Sequence, residues 1–348
     1  VSEPSVDIQQ RKRDHIAHSL NPQVIMGISN GLERFRFLPE ALPDCDFAAV
    51  STQCEFLGHR LGAPLLIASM TGGPQEGERI NRHLAQAARQ LNVAMGVGSQ
   101  RVMFERVDAR QSFFAVRKEA PDILLFGNLG AVQLNAGFGE RELRQARDWL
   151  DADGVFLHLN VLQELIQTEG DTNFQGLLER VSRLTAALDF PILVKEVGCG
   201  VSSGTALRLA AAGVAAIDVA GAGGTSWAKI EGLRAATPQR KRLAEVFGDW
   251  GLPTAVCIPR IRAQLPGLPL IASGGIRTGL DVAKAIALGA DLVSLANPLL
   301  APALESADAV VDCLEQIILE LRVTLMLLGL RDVAALRNRP DLLMEVGL

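Results

Sequence analysis

The chain has 348 residues, 48% of them hydrophobic and 21% charged, with a formal net charge of −5. That length supports a large, well-buried α/β domain, and the composition excludes a disordered or coiled-coil chain. There is no basic excess to neutralise a nucleic-acid backbone. The odd set of cysteines (Cys45, Cys54, Cys199, Cys257 and Cys313) contains no CxxC pair, and no apolar run reaches the roughly 18 residues that would span a bilayer, so the sequence predicts a cytoplasmic protein without nucleic-acid or membrane partners.

In chain order, residues 1–63 read as an N-terminal arm and cap. The first 15 residues are polar and carry no apolar signal core. The run Arg11-Lys12-Arg13-Asp14-His15 fits either a solvated charge cluster or the start of a helix. Residues 64–348 read as one barrel domain with a helical tail. Eight short apolar runs recur, at 65–68, 93–97, 123–126, 155–159, 192–194, 216–220, 270–272 and 292–296. Runs this apolar suit parallel strands covered on both faces. Helical patterns separate them. Residues 76–91 place Ile80, Leu84, Ala87, Ala88 and Leu91 on one face, and 205–212 and 280–288 each end at a glycine, Gly213 and Gly289. Eight βα units close into a (β/α)8 TIM barrel, with a doubly wound open sheet as the alternative. Residues 229–265 look like an insertion after strand six. The tail is expected to be helical from Ala301 to about Gly329.

A barrel of this type works at the C-terminal ends of its strands. Those ends carry Ser69-Met70-Thr71-Gly72-Gly73, Gly98-Ser99-Gln100-Arg101, Gly127-Asn128-Leu129-Gly130, His158-Leu159-Asn160, Lys195-Glu196-Val197-Gly198, Gly221-Ala222-Gly223-Gly224-Thr225, Ser273-Gly274-Gly275-Ile276-Arg277 and Ala296-Asn297-Pro298. So many polar groups and glycines on one rim point to a site. Gly274 and Gly275 let backbone approach a ligand, and the helix that follows offers its N-terminus to an anion. Lys195 at a strand end is costly to bury unless it meets an anion, a ring that accepts electrons, or a carboxylate such as Asp218. Arg101 offers a guanidinium fork to phosphate. Glu164 is a candidate oxygen ligand for a divalent cation, and no zinc-type ligand spacing is present. Neither a nucleophile elbow nor a dinucleotide fingerprint occurs.

Arg-Lys-x-x-His-Ile (11–16), Met-Thr-Gly-Gly (70–73), Gly-Ser-Gln-Arg (98–101), Asn-Leu-Gly (128–130), His-Leu-Asn-x-x-Gln-Glu (158–164), Lys-Glu-Val-Gly (195–198), Gly-Gly-Thr-Ser-Trp (223–227) and Ser-Gly-Gly-Ile-Arg (273–277) occur in that order. Together they resemble the type 2 isopentenyl diphosphate isomerases. Ser-Gly-Gly-Ile-Arg is common to many flavin barrels, whereas His-Leu-Asn-x-x-Gln-Glu with the N-terminal Arg-Lys is far more specific. The resemblance implies FMN, Mg2+ and a working enzyme with reduced flavin, for which NADPH can serve as a passing reductant. It implies interconversion of homoallylic and allylic diphosphates without net redox change, in a homotetramer or homo-octamer.

The same resemblance assigns flavin contacts to Ala68, Ser69, Met70, Ser99, Asn128, Lys195, Thr225, Gly274, Gly275, Arg277, Ala296 and Asn297. It assigns diphosphate contacts to Arg11, Lys12, Ser99, Gln100 and Arg101, with His158 and Asn160 completing that shell. Gln163 falls near the alkene, Gln163 and His158 are the catalytic candidates, and Glu164 holds the metal. The chain departs from the family pattern at Ser294-Leu295-Ala296-Asn297, where a Gly-rich variant is expected, and at Asp14. The competing class is an FMN-dependent 2-hydroxy-acid oxidase or dehydrogenase. That chemistry needs a histidine base and an arginine pair late in the barrel, but the last histidine here is His158.

Overall fold

A computed structural model describes residues 8–70 and 76–347 of the chain. Thr71, Gly72 and Gly73 of the Met-Thr-Gly-Gly motif lie outside the described residues. The eight apolar runs form eight parallel strands: β1 (Leu65–Ile67), β2 (Ala94–Gly96), β3 (Leu125–Gly130), β4 (Gly154–Leu159), β5 (Ile192–Glu196), β6 (Ala216–Asp218), β7 (Leu270–Ala272) and β8 (Leu292–Leu295). They pair in sequence order, and β8 pairs with β1 to close a barrel. The open-sheet alternative is thereby excluded.

Two strands run longer than their apolar cores. β3 continues through Gly127-Asn128-Leu129-Gly130 because each residue from Phe126 to Gly130 pairs with Gly154 to His158 of β4. β5 reaches Glu196 for the same reason, with Lys195 opposite His158 on one side and Asp218 on the other. Ladder hydrogen bonds, not apolar content, set where these strands end.

The helix Glu76–Leu91 forms over the span its periodicity predicts, and it buries Ile80, Leu84, Ala87 and Ala88 completely or nearly so. The segment after β6 holds three helices: Trp227–Arg234, Pro238–Val246 and Thr254–Gln264. The last of these packs against β7 and the helix Ser203–Ala211, as an ordinary barrel helix does. The added element is therefore the first two helices, a narrower insertion than 229–265. The helical stretch expected from Ala301 to about Gly329 starts earlier and is broken once, into the helices Asn297–Glu305 and Ala307–Leu327. Ser306 divides them, because its extended backbone and hydroxyl cap Ala309 N–H and start the second helix.

The arm wraps the barrel from both ends. The hairpin Cys54–Phe56/His59–Leu61 inserts Phe56 and Leu61 among Leu66, Ala94, Phe126, Phe156 and Leu292 and plugs the barrel interior. The strand Phe35–Phe37 pairs with Leu343–Glu345, joining arm to tail. The helix Ile8–Ser19 lies over the opposite end, at the strand C-termini.

One device occurs twice, half a barrel apart. Arg117 binds the carbonyls of Ala120, Pro121 and Ile123 and the carboxylate of Asp153, which accepts the N–H of Leu125 at the start of β3. Arg262 binds the carbonyls of Leu265, Pro266, Leu268 and Gly289 and the carboxylate of Asp291, which accepts the N–H of Leu270 at the start of β7. Each arginine satisfies loop carbonyls that would otherwise be stranded at the barrel base.

Candidate active site

A cavity of about 290 Å³ opens at the C-terminal ends of the strands. Ala68, Ser69 and Met70 follow β1 into its wall, and Ser99 and Arg101 follow β2. Asn128 and His158 reach it from β3 and β4. The short helix Val161–Ile166 adds Gln163 and Glu164 beside Asn160. Lys195 comes from β5, Thr225 from the loop after β6, Gly274, Gly275 and Arg277 from the loop after β7, and Ala296 and Asn297 from the end of β8. The arm helix closes the top with Arg11, Lys12, His15, Ile16 and Ser19, which share one helical face. The charged run is thus a cavity lid, and the solvated-cluster reading fails.

Gln100 does not line the cavity. It is fully buried behind the wall, where its amide accepts from Asn128 N–H and donates to Ala146 O. A side chain with both ends committed to backbone braces β3 and has nothing left for a diphosphate. Arg101 does reach the cavity, with Nε 2.9 Å from Glu105 and Nη1 2.9 Å from Asp171.

The glycine loops after β6 and β7 lie backbone to backbone. A Cβ on Gly274 would fall 1.9 Å from Gly221 O, and one on Gly275 would fall 2.4 Å from Gly223 O; both glycines have positive φ, 101° and 73°. Only glycine satisfies both conditions. The helix behind this loop is less available to an anion than its position suggested. Asp281 accepts from the N–H groups of Arg277 and Thr278, and Glu320 accepts from Gly279 N–H. Any phosphate here depends chiefly on the loop.

Charge inside the cavity is poised by burial. The Lys12 ammonium has no hydrogen-bond partner among the described residues and sits 5.7 Å from the centre of the Phe113 ring. Burial, with the charge of Arg11 behind it, lowers its pKa to about 7. His158 falls to about 3, through burial first and then the charge of Lys195, so its imidazole is neutral at ordinary pH. Its Nδ1 lies 2.9 Å from Asn128 Oδ1, which can only accept, so Nδ1 carries the proton. Lys195 makes no ion pair with Asp218. Its ammonium donates to Glu196 O at 2.7 Å, while Asp218 accepts from Ser273. Burial still lowers the Lys195 pKa, and the charges of Asp218 and Glu196 oppose that shift.

Gln163 belongs to a network that the sequence did not reveal. Its amide donates to Glu231 Oε1 at 3.0 Å, and His15 Nε2 lies 2.9 Å from the same oxygen. Arg234 binds the other oxygen of Glu231 at 2.6 Å. Burial pushes the Glu231 carboxyl up, but the bonds from His15 and Gln163 and the charge of Arg234 outweigh it and leave the pKa lowered. Trp227 packs edge-on against His15, with ring centroids 5.1 Å apart. Glu231 follows Trp227 by four residues, and His15 follows Arg11 by four. For Glu231, one helical turn from a motif residue was the available signal, whereas His15 stands in the Arg-Lys-x-x-His-Ile motif itself.

Four buried polar atoms on this cavity, Lys12 Nζ, Ser69 Oγ, Asn160 Oδ1 and Ser294 Oγ, have no partner among the described residues. Buried groups are rarely left so, and four at one cavity mark a place built for a polar ligand. Beside Asn160 Oδ1, Glu164 accepts from Asn160 Nδ2 and Asp171 N–H, both at 2.8 Å. Among the described residues no cluster of three His, Cys, Asp or Glu could hold a metal alone. An oxygen pair such as Asn160 and Glu164 fits a cation that takes its remaining ligands from phosphate and water.

Fold and site together define a class, and residues 146–343 match the model of the FMN-dependent dehydrogenase family. Solved structures of the same architecture include flavocytochrome b2 with benzoylformate (TM-score 0.69, 19% identity, 95% of this chain and 82% of that one) and (S)-mandelate dehydrogenase (0.66, 19%, 95% and 91%). At that identity they show the fold alone. Proteins named isopentenyl-diphosphate delta-isomerase are much more similar. That of Nostoc sp. is 50% identical over 97% of both chains, and that of Synechococcus sp. is 52% identical over 97% of this chain and 96% of its own. The chain belongs to the isopentenyl-diphosphate delta-isomerase family.

Proposed function

We propose that this protein converts isopentenyl diphosphate to dimethylallyl diphosphate by a 1,3-proton shift, using reduced FMN and Mg2+. One observation carries the reading: the lining of a single cavity holds two separate groups suited to anions. The glycine loop after β7 is one. Arg11, Lys12 and Arg101, clustered with Glu164 around β2 to β4, are the other. β3 and β7 stand across the closed barrel from each other. A phosphate-bearing cofactor and a diphosphate substrate would then meet over the barrel axis. A hydroxy-acid oxidase would require one carboxylate site and a histidine base, and the cavity histidines are His158, which a pKa of about 3 makes a weak base, and the lid's His15, engaged by Glu231.

When bound, reduced FMN supplies a proton donor and an electron-rich face for the cationic character that develops on the alkene. Ser69, Asn128, Lys195 and Thr225 would hold its ring, and Gly274 and Gly275 its phosphate. Arg11, Lys12 and Arg101 bind the diphosphate, so binding energy remote from the double bond positions it. Glu164 and Asn160 Oδ1 would hold Mg2+ against the same group. Gln163 is too weak an acid to protonate an alkene. It orients the alkene, or relays a proton toward Glu231. Ile16 and Trp227 exclude water from the reacting carbons. NADPH would keep the flavin reduced without a site of its own.

The test is an anaerobic assay with isopentenyl diphosphate, FMN, Mg2+ and NADPH that follows dimethylallyl diphosphate. Product that vanishes when the flavin stays oxidised is expected. No product from protein that binds and reduces FMN would refute the reading and turn attention to hydroxy acids.

A further inference from the structure

Glu196 ends β5 next to Lys195, yet its side chain turns away from the cavity and back onto its own chain. Its Oε2 accepts three successive backbone N–H groups: Val197 at 2.6 Å, Gly198 at 2.6 Å and Cys199 at 2.5 Å. Three converging N–H groups make an anion nest, here filled from within. Gly198, at φ 148°, lets the loop curl around the carboxylate.

The peptide between Glu196 and Val197 is therefore held at both ends. Its N–H points to the Glu196 carboxylate, and its carbonyl accepts the Lys195 ammonium at 2.7 Å. A peptide unit is planar, so N–H and C=O turn together. If the N–H left the nest, the carbonyl would leave Lys195. That ammonium has no carboxylate within ion-pair distance among the described residues, so this carbonyl is what fixes its place. Val197 and Gly198 line the cavity and move with the same plane.

We infer that Glu196 is a positioning residue: it locks the 196–197 peptide so that Lys195 is held toward the bound flavin, an inference that rests on the flavin reading above. Reduction adds negative charge to the flavin, so a nearby ammonium raises the midpoint potential and its displacement lowers it. A carboxylate acting only through its own charge has the opposite sign, because removing it would raise the potential.

The experiment is a reductive titration of the FMN-loaded protein against redox dyes, comparing the parent with Lys195→Met, Glu196→Asp, Glu196→Gln and Lys195→Met/Glu196→Asp. Aspartate keeps the charge but is one methylene short of the nest. Glutamine keeps the reach and loses the charge. Glu196→Asp is expected to lower the potential by about 30 mV, the two-electron equivalent of a tenfold change. The double variant should fall no further than Lys195→Met alone, since residues that act as one unit are not additive. Glu196→Gln should stay at or above the parent value. A parental potential in Glu196→Asp, a fall that adds fully to that of Lys195→Met, or a Glu196→Gln that falls as far as the aspartate would each overturn the inference. A parent that binds no FMN, or a Lys195→Met with the parental potential, would instead overturn the flavin reading beneath it.

Discussion

Lys12 is a buried amine whose charge depends on what shares the cavity. Its pKa of about 7 describes the protein without an anion beside it, where burial and Arg11 disfavour the ammonium. A diphosphate favours the ammonium, so binding above pH 7 must first protonate the amine. From pH 7 to 9 that costs about 2.3 kcal/mol, or about fiftyfold in KM. Lys12→Arg keeps its charge throughout and should flatten the profile. Initial rates measured across that range would decide, and a flat KM in the parent would contradict the assignment. Gln163 calls for a different readout. Its amide bonds Glu231 and Asn160 and makes no hydrogen bond to Thr225, Gly274 or Gly275. Gln163→Ala should reduce kcat by about a hundredfold through lost orientation while FMN affinity holds. Flavin fluorescence and steady-state rates on one preparation separate the two, and intact turnover would remove Gln163 from the mechanism.

Single elements also make demands that chemistry does not. The two glycine loops leave no space for a side chain, and Gly274→Ala would force the loop after β7 away from Gly221 O. FMN binding should be lost in a protein that still folds, because the barrel strands lie outside the contact. Near-ultraviolet circular dichroism alongside FMN titration tests this; unchanged affinity would mean the loop does not hold the cofactor. At the barrel base, Arg262 and Asp291 have side chains only 7% and 4% exposed. Asp291→Ala leaves a buried guanidinium uncompensated and should destabilise the fold by about 3–5 kcal/mol. A lower urea midpoint with an unchanged flavin spectrum is expected, since the pair lies at the opposite end from the cavity.

For the whole molecule, the start of the arm is a layer over a barrel whose strands close without it. It supplies Arg11 and Lys12, while the expected flavin contacts come from the barrel itself. Its helix is fastened by Asp14 to Arg234, His15 to Glu231 and Asn297 to Ser19 O. Deleting residues 1–20 should leave FMN binding in place and raise KM for the diphosphate by more than about a hundredfold, the loss of two charge-assisted contacts. Equilibrium dialysis for FMN and assays at high substrate would check it. Equal loss of both ligands would mean that the arm is part of the barrel's own stability.

The number and order of the strands were legible in the sequence, because strands covered on both faces must be apolar throughout and each announces itself locally. So was the rim, since a barrel presents whatever follows each strand. The helix Glu76–Leu91 was legible to the residue from its period. What tertiary structure decided were relations between distant segments. Gln100 falls next to Ser99 and Arg101 in the chain, but the turn after β2 sends its amide inward, to Asn128 and Ala146. Glu231 lies outside every motif and reaches Gln163 only because the added helix Trp227–Arg234 packs on the one carrying Gln163. Lys195 has Asp218 as its ladder neighbour yet takes a carbonyl, because Ser273 engages that carboxylate. Apolar burial is a property of each residue and can be read along a line. A hydrogen bond needs two partners at one distance and angle, and only the folded chain brings them together.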